Sequence, residues 1–448
     1  MQEKDEINTK INFGSQAFKN YFSNTSWLFG QRVLKLVISF VVNIYVIRYL
    51  GPREFGLFSY AVSFVGLFTA ISALGLDNII VRELVNEPDK KDRILGSTFY
   101  LKLFGAVLSI LFICLTLLFI SGEELTSVLI LIISLSAFFQ TTNVIDFYFQ
   151  ANVQVKYSAV VQTISLIISS LLKIVLILIH ASLIYFAVVF TLEFLFIGIG
   201  FVIAYRIKEL SIFSWKFEKT LAKSLLKDSW PLILSGLVIA IYMRIDQVMI
   251  KNMLSDMEVG YYAAAVKLSE AWYFIPMAIC TSLFPSIINA KKMSRVLYMS
   301  RIQKLYDILT WLAIAIAVPV TLFSTFIVSL LFGQEYLASA PVLTLYIWAG
   351  IPVSLGVASG QYLVNENLTK ISFYRTLVGM IVNVILNFIL IPIYGIIGSA
   401  LATLISYSIA TFSIGFSKKT YKQLIMMMKS IFLIDLIYLF YKRILKSF

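Results

Sequence analysis

One histidine and two cysteines in 448 residues leave little material for metal or redox chemistry. Cys114 and Cys280 both fall in apolar runs, where cysteine behaves as a small packing residue, so neither a disulfide nor a zinc site is expected. His180 stands at the end of another such run, where a polar interfacial residue accounts for it better than a proton relay does. No Walker-type phosphate-cradling loop occurs, which argues against ATP hydrolysis by this chain. Charged residues make up only 14% of the sequence, against about 25% in soluble domains. A cleavable leader is not expected either, because residues 1–26 are polar and no short apolar core precedes a small-residue cleavage site.

What the chain has instead is apolar length. Hydrophobic residues reach 59% and mean hydropathy is +0.88, the composition of a polytopic membrane protein. Runs of about 20 apolar residues cross a bilayer core. Twelve are read here, at 27–50, 57–80, 98–121, 126–150, 157–179, 182–205, 229–253, 261–288, 305–332, 340–365, 373–393 and 395–416. Helices are expected, because they satisfy their own backbone in lipid and barrel strands would be shorter and alternating. The fold class is therefore an all-α polytopic membrane protein of twelve transmembrane helices.

The net charge of +13 has a topological explanation. Loops after even-numbered spans carry seventeen Lys and Arg, among them Arg82, Lys90, Arg93, Lys216, Lys223, Lys291, Arg301 and Lys370, whereas loops after odd-numbered spans carry only Arg53. By the positive-inside rule both termini face the cytoplasm. Attraction to anionic membrane lipids accounts for most of the remaining basic residues, and nucleic acid need not be invoked. Two segments are expected to lie on the membrane surface. One contains Ile11, Phe13, Phe18 and Phe22; the other is the short apolar stretch 431–441 in the basic tail.

Internal repetition organises the spans. Residues 49–62 align without gaps on 253–266, pairing Glu54 with Glu258 and Gly56 with Gly260 at an offset of 204. Lys156–Phe190 align on Lys370–Leu404 at an offset of 214, which sets Ser169 opposite Asn383 and Lys173 opposite Asn387. An even number of spans per half makes these parallel repeats. The expected domains are an N-terminal lobe at 1–205, a cytoplasmic linker at 206–228, a C-terminal lobe at 229–416 and a tail at 417–448.

Charges inside the spans are the candidate functional residues, since a charge at membrane depth is costly without a partner or cavity. Arg32, Lys35, Ser39 and Asn43 share one helical face, as do Gln162, Ser165, Ser169 and Lys173. Gln140, Asn143, Asp146 and Gln150 form a third stripe, and Gly379, Asn383 and Asn387 a fourth. Interhelical hydrogen bonding explains the neutral members equally well. Arg32, Lys35, Lys173, Arg244 and Lys267 are the candidate cavity cations for an anionic substrate. Arg48, Arg82, Lys251 and Arg375, nearer helix ends, are expected to snorkel. Arg244 and Asp246 point about 200° apart, so one must meet another helix. Lys267 and Glu270 have the spacing of a local pair. Asp77, Asp146, Glu193, Asp246 and Glu270 are the carboxylates available to a coupling ion, H⁺ or Na⁺. Pro276, Pro319 and Pro352 fall inside spans and are candidate kink points.

The runs YLGPREFGLFSYAVSF, ALGLDNIIVREL, YMRIDQVMI, GYYAAAVKLSEAWYFIP and NVILNFILIPIYGIIGSALATLISY resemble the Wzx-type polysaccharide flippases. These belong to the multidrug/oligosaccharidyl-lipid/polysaccharide exporter superfamily. The resemblance implies two six-helix lobes around a central cavity in the bacterial inner membrane. It also implies transport of undecaprenyl-diphosphate-linked oligosaccharide, beside a polysaccharide polymerase and its chain-length machinery. No resident cofactor is expected, and the chain is expected to be a transporter, not an enzyme. The competing readings are a drug-cation antiporter, which calls for an acidic and aromatic cavity, a membrane polymerase or glycosyltransferase, which calls for a large extramembrane loop, and, closer, a lipid II flippase, for which the resemblance would imply two further C-terminal spans beyond the twelve read here.

Overall fold

The computed structural model describes residues 16–119 and 123–432, with side chains of the first helix continuous from residue 33. Ile11, Phe13 and residues 433–441 lie outside the described residues. From Gln16 onward the chain, Phe18 and Phe22 included, is continuous with the first long helix, α1 (Gln16–Leu67). A short helix Thr69–Ala73 leads to α2 (Asp77–Asn86), then α3 (Lys91–Phe119), α4 (Glu124–Ala151), α5 (Val155–Leu178), α6 (Leu183–Ile207) and α7 (Lys219–Met253). There follow α8 (Asp256–Met293), α9 (Arg295–Phe332), α10 (Ser339–Asn365), α11 (Thr369–Phe412) and a terminal amphipathic helix α12 (Tyr421–Ile431). Among the described residues there is no strand.

Among the described residues ten helices are long and apolar enough to cross a membrane, and two of them are broken by a glycine. α1 turns at Gly51 (φ 68°) and α11 at Gly395 (φ 59°), left-handed conformations that cost glycine no steric clash. Pro52 follows the first turn, suited by its fixed φ to restart a helix. The two kinks separate the first expected span from the second and the eleventh from the twelfth.

Three helix breaks lie beside the prolines expected to mark kinks, whereas Pro231 and Pro285 sit within unbroken helix. Phe323 departs from helical angles four residues after Pro319, a turn at 271–273 precedes Pro276, and the 3₁₀ turn Ile347–Ala349 precedes Pro352.

Close packing divides the chain into two units: Met1–Asn43, Ser72–Leu111 and Ser134–Trp230 form one, and Ile44–Ile71, Phe112–Ile133 and Pro231–Phe448 the other. The division cuts α1, α3, α4 and α7 within their lengths, so it follows different lines from the lobe boundary drawn from the sequence.

Within the first unit the expected linker is a strap. Lys216 N–H donates to the Asp92 carbonyl at 3.1 Å, Glu218 N–H donates to Ser97 Oγ at 2.9 Å, and Arg93 pairs with Glu218. A Cβ on Gly96 would sit 2.6 Å from Lys216 backbone atoms, so only glycine admits the strap this close. α7 begins at Lys219, about ten residues before the expected span.

Within the second unit, α12 docks on α9. Tyr306 donates to Gln423 at 2.7 Å and Ser430 donates to Asp307 at 2.6 Å, beside an apolar core that includes Phe284, Tyr298, Leu355 and Met427.

The repeat survives in the backbone. Val153 and Asn367, equivalent at the offset of 214, both adopt φ 57°. Their successors Gln154 and Leu368 have φ/ψ of −104°/33° and −105°/35°, and donate to Phe149 and Leu363 carbonyls at 2.7 Å each. At the other offset the equivalents meet face to face within the second unit. A Cβ on Gly56 would lie 1.8 Å from the Asp256 carbonyl oxygen, and one on Gly260 would lie 1.9 Å from that of Pro52. Residues 52 and 256 are themselves a repeat pair, so the contact has local two-fold symmetry.

Candidate functional site

α7 contributes Asp246, which is 5% exposed and has no basic partner among the described residues. Its carboxylate accepts from Asn387 Nδ2 at 2.8 Å, Thr403 Oγ1 at 2.6 Å and the Tyr262 hydroxyl at 2.7 Å. These come from both arms of α11 and from α8, helices brought beside α7 only by tertiary packing. Asn383, one turn before Asn387, donates to Ser406 at 3.3 Å. By hydrogen-bond geometry the carbonyl oxygens of Asn383 and Asn387 and the Ser399 hydroxyl are buried without a partner among the described residues. A buried anion normally takes a cation, and orphaned buried oxygens carry a desolvation cost. One carboxylate amid neutral oxygen ligands suits a hard cation.

Arg244, two residues earlier, points elsewhere, as the helical angle requires. It is exposed, packs along Gly66 of α1 and makes no ion pair among the described residues. Lys267 is exposed and lies 5.8 Å above the Phe55 ring. Glu270, half-buried, accepts from the Tyr346 hydroxyl at 3.2 Å.

In the first unit, Lys173 and Glu193, expected to serve substrate and ion separately, are partners. Lys173 Nζ lies 3.2 Å from Glu193 Oε2, and Ser169 Oγ donates to the same oxygen at 2.8 Å. Lys173 is thus a paired cation and not a free one. Lys35 donates to Gln162 at 2.9 Å, joining two of the predicted stripes. Asp146 accepts from Gln150 at 3.1 Å and keeps a buried oxygen without partner, while Asn143 is half-buried in the 3₁₀ turn before it. Asn43 is half-buried on α1, and the Arg32 side chain lies outside the described residues.

Asp77 pairs with Lys102 at 2.6 Å, whose side chain is 7% exposed and sits 4.6 Å from the Phe147 ring centroid. Lys102 was not singled out from the sequence, although a lysine in the middle of α3 satisfies the same membrane-depth rule. Arg375 corrects an expectation: it does not snorkel but turns inward, donating to Ser359 at 2.7 Å and to the Gly356 carbonyl at 3.0 Å. Tyr262 and Thr403 were also missed, because neutral hydroxyls carry no signal until their partner is known.

The architecture is that of a polytopic helical membrane protein. A solved structure of the lipid II flippase MurJ in an inward closed conformation matches with a TM-score of 0.71 at 19% identity, over 93% of this chain and 92% of that one. An inward-facing MATE-family multidrug transporter of the MOP superfamily matches at 0.62 and 14% identity, over 85% and 92%. The chain belongs to the polysaccharide biosynthesis protein family, whose profile it matches over residues 22–291. Among curated relatives, the "Probable flippase AglR" of Haloferax volcanii is 23% identical over 86% of this chain and 80% of its own length. The capsular polysaccharide biosynthesis protein CapF of Staphylococcus aureus is 22% identical over 87% and 97%. The expected resemblance to polysaccharide flippases and the expected transporter class therefore hold.

Proposed function

We propose that the protein is a flippase that carries undecaprenyl-diphosphate-linked oligosaccharide from the cytoplasmic to the periplasmic leaflet, driven by a cation bound at Asp246. The observation that supports the anionic substrate is Arg244, an exposed guanidinium at membrane depth with no ion pair among the described residues. A fixed cation there offers bidentate hydrogen bonds to a diphosphate, and in a low-dielectric setting its field is weakly screened. Asp246, Thr403, Asn383, Asn387 and Ser399 would hold the cation. The uncommitted oxygens of Asn383, Asn387 and Ser399 suit Na⁺, which takes several oxygen ligands, where a proton needs a single acceptor. Of the five carboxylates considered for coupling, Asp246 is the most buried and meets three neutral donors, while Glu193 and Asp77 already face ammonium groups.

In this reading the membrane is the bacterial inner membrane, both termini are cytoplasmic, the two lobes are 1–205 and 229–416, and polymerase and chain-length proteins receive the product. The drug-cation antiporter reading places no role on Arg244 and is the one to exclude experimentally. Vesicles reconstituted with the protein and a fluorescent lipid-diphosphate oligosaccharide would be tested under imposed Na⁺ or H⁺ gradients. Na⁺-driven, Arg244-dependent flipping is expected. Transport of organic cations without flipping would overturn the assignment.

A further inference from the structure

The two halves treat equivalent positions in opposite ways. The shared backbone at Val153/Asn367 and Gln154/Leu368 fixes the register of α5 against the first arm of α11, so Lys173 is the counterpart of Asn387 and Ser169 that of Asn383. The side chains at positions 173 and 387 each contact a carboxylate, Glu193 and Asp246 respectively. In the second unit the neutral Asn387 amide donates to Asp246 at 2.8 Å, and oxygens on Asn383, Asn387 and Ser399 stay uncommitted. In the first, the Lys173 ammonium lies 3.2 Å from Glu193, the serine at the Asn383-equivalent position completes the same carboxylate oxygen, and neither Ser169 nor Glu193 has an orphaned buried oxygen. With its carboxyl ionised, the Asp246 cluster would carry one negative charge that no basic residue among the described ones offsets, whereas the Lys173–Glu193 pair is neutral.

We propose that Lys173 is a tethered cation: it occupies beside Glu193 the role that a free cation plays beside Asp246, so that the repeated architecture binds one coupling ion and not two. This rests on the reading of Asp246 as the ion site. A covalently held ammonium cannot leave, and its charge repels a second cation from the same carboxylate. Replacing the lysine with the asparagine of the other repeat removes that charge, adds an amide oxygen, and leaves Glu193 and Ser169 to hold an ion.

The test is equilibrium binding of ²²Na⁺ to the purified full-length protein in detergent, in choline buffer free of other alkali ions. Wild type is expected to bind one Na⁺, Asp246→Asn none, Lys173→Asn two, and Lys173→Asn/Asp246→Asn one. That last site should vanish when Glu193→Gln is added. A mere structural salt bridge would give no new Na⁺ site in any Lys173→Asn background, and that result overturns the proposal. If wild type and Asp246→Asn bind alike, the Asp246 reading fails, yet the gain in Lys173→Asn over its Glu193→Gln control still decides the role of Lys173. Should Lys173→Asn fold poorly without salt, its melting temperature is the second measurement. A Na⁺-dependent rise that K⁺ or choline does not reproduce, and that Lys173→Met/Glu193→Met lacks, supports the tethered cation; an indifferent melt refutes it.

Discussion

Gly260→Ala would place a Cβ 1.9 Å from the Pro52 carbonyl oxygen, and Gly56→Ala would place one 1.8 Å from that of Asp256. Both obstacles are backbone, so no side-chain rotation relieves them. The segments must part by about 1 Å or more, which strips contacts from a helix crossing packed to interior density. Overpacking of this kind costs typically 1–3 kcal/mol, and an unyielding backbone argues for the upper end, about 3 kcal/mol per alanine. Because the local two-fold relates the two clashes, a single separation of the segments relieves both. The double variant should therefore cost about what one single variant costs, leaving a coupling energy of roughly 2–3 kcal/mol. Thermal or denaturant unfolding of wild type, both singles and the double in one detergent measures this cycle. Neutral single variants, or a double equal to the sum of the singles, would refute the symmetric backbone crossing.

Three further outcomes follow from the sites. Asp246→Asn keeps the shape of the buried cluster but removes its charge, and should abolish the Na⁺ dependence of flipping in vesicles while the protein still folds; retained dependence would move the ion elsewhere. Arg244→Gln should lower flipping of a lipid-diphosphate substrate by tenfold or more, on the order of the loss of one charge-assisted contact, with Arg244→Lys recovering part of the rate. Tyr336→Phe deletes the 2.9 Å bond from its buried hydroxyl to the Ile47 carbonyl and should destabilise by about 1 kcal/mol in the same unfolding assay, without changing ion affinity.

Much of the scaffold is written in one-dimensional signals. Span positions follow from hydropathy, and the starts of α5, α6 and α10 fall within two residues of their expected places. The repeat, five identities in fourteen residues at 49–62, sets Gly56 opposite Gly260, and glycine at both is what the touching backbones require, but the alignment does not say that the two segments meet. Partnerships are not legible in this way. Lys173 and Glu193 stand twenty residues apart on successive helices, and periodicity along one helix cannot say which face of the next it meets. Arg375 lies near a helix end in sequence, but packing offers its guanidinium Ser359 and Gly356 on α10, so it turns inward. The Asp246 cluster was half visible: the carboxylate and both asparagines stood out, whereas Tyr262 and Thr403 acquire meaning only once α7, α8 and α11 are assembled.

The repeat is conserved in form and broken in chemistry, and the pattern of breakage is informative. Backbone symmetry persists where the chain must turn or cross, at Val153/Asn367 and Gly56/Gly260, positions that bear on folding alone. It fails at the side chains holding buried carboxylates: an amide faces Asp246 where an ammonium faces Glu193. Two identical ion sites would each have to load and empty in every cycle. A lysine in one half removes that requirement and keeps the helices cross-linked through a neutral pair. With Asp246 ionised, binding of the proposed cation would change the net charge of its cluster from −1 to 0. Such a change can bias helix packing only if the ion's affinity differs between the two arrangements of α7 and α11. Ion binding measured at substrate saturation and without substrate would expose that difference, and equal affinities would sever the coupling between Asp246 and transport.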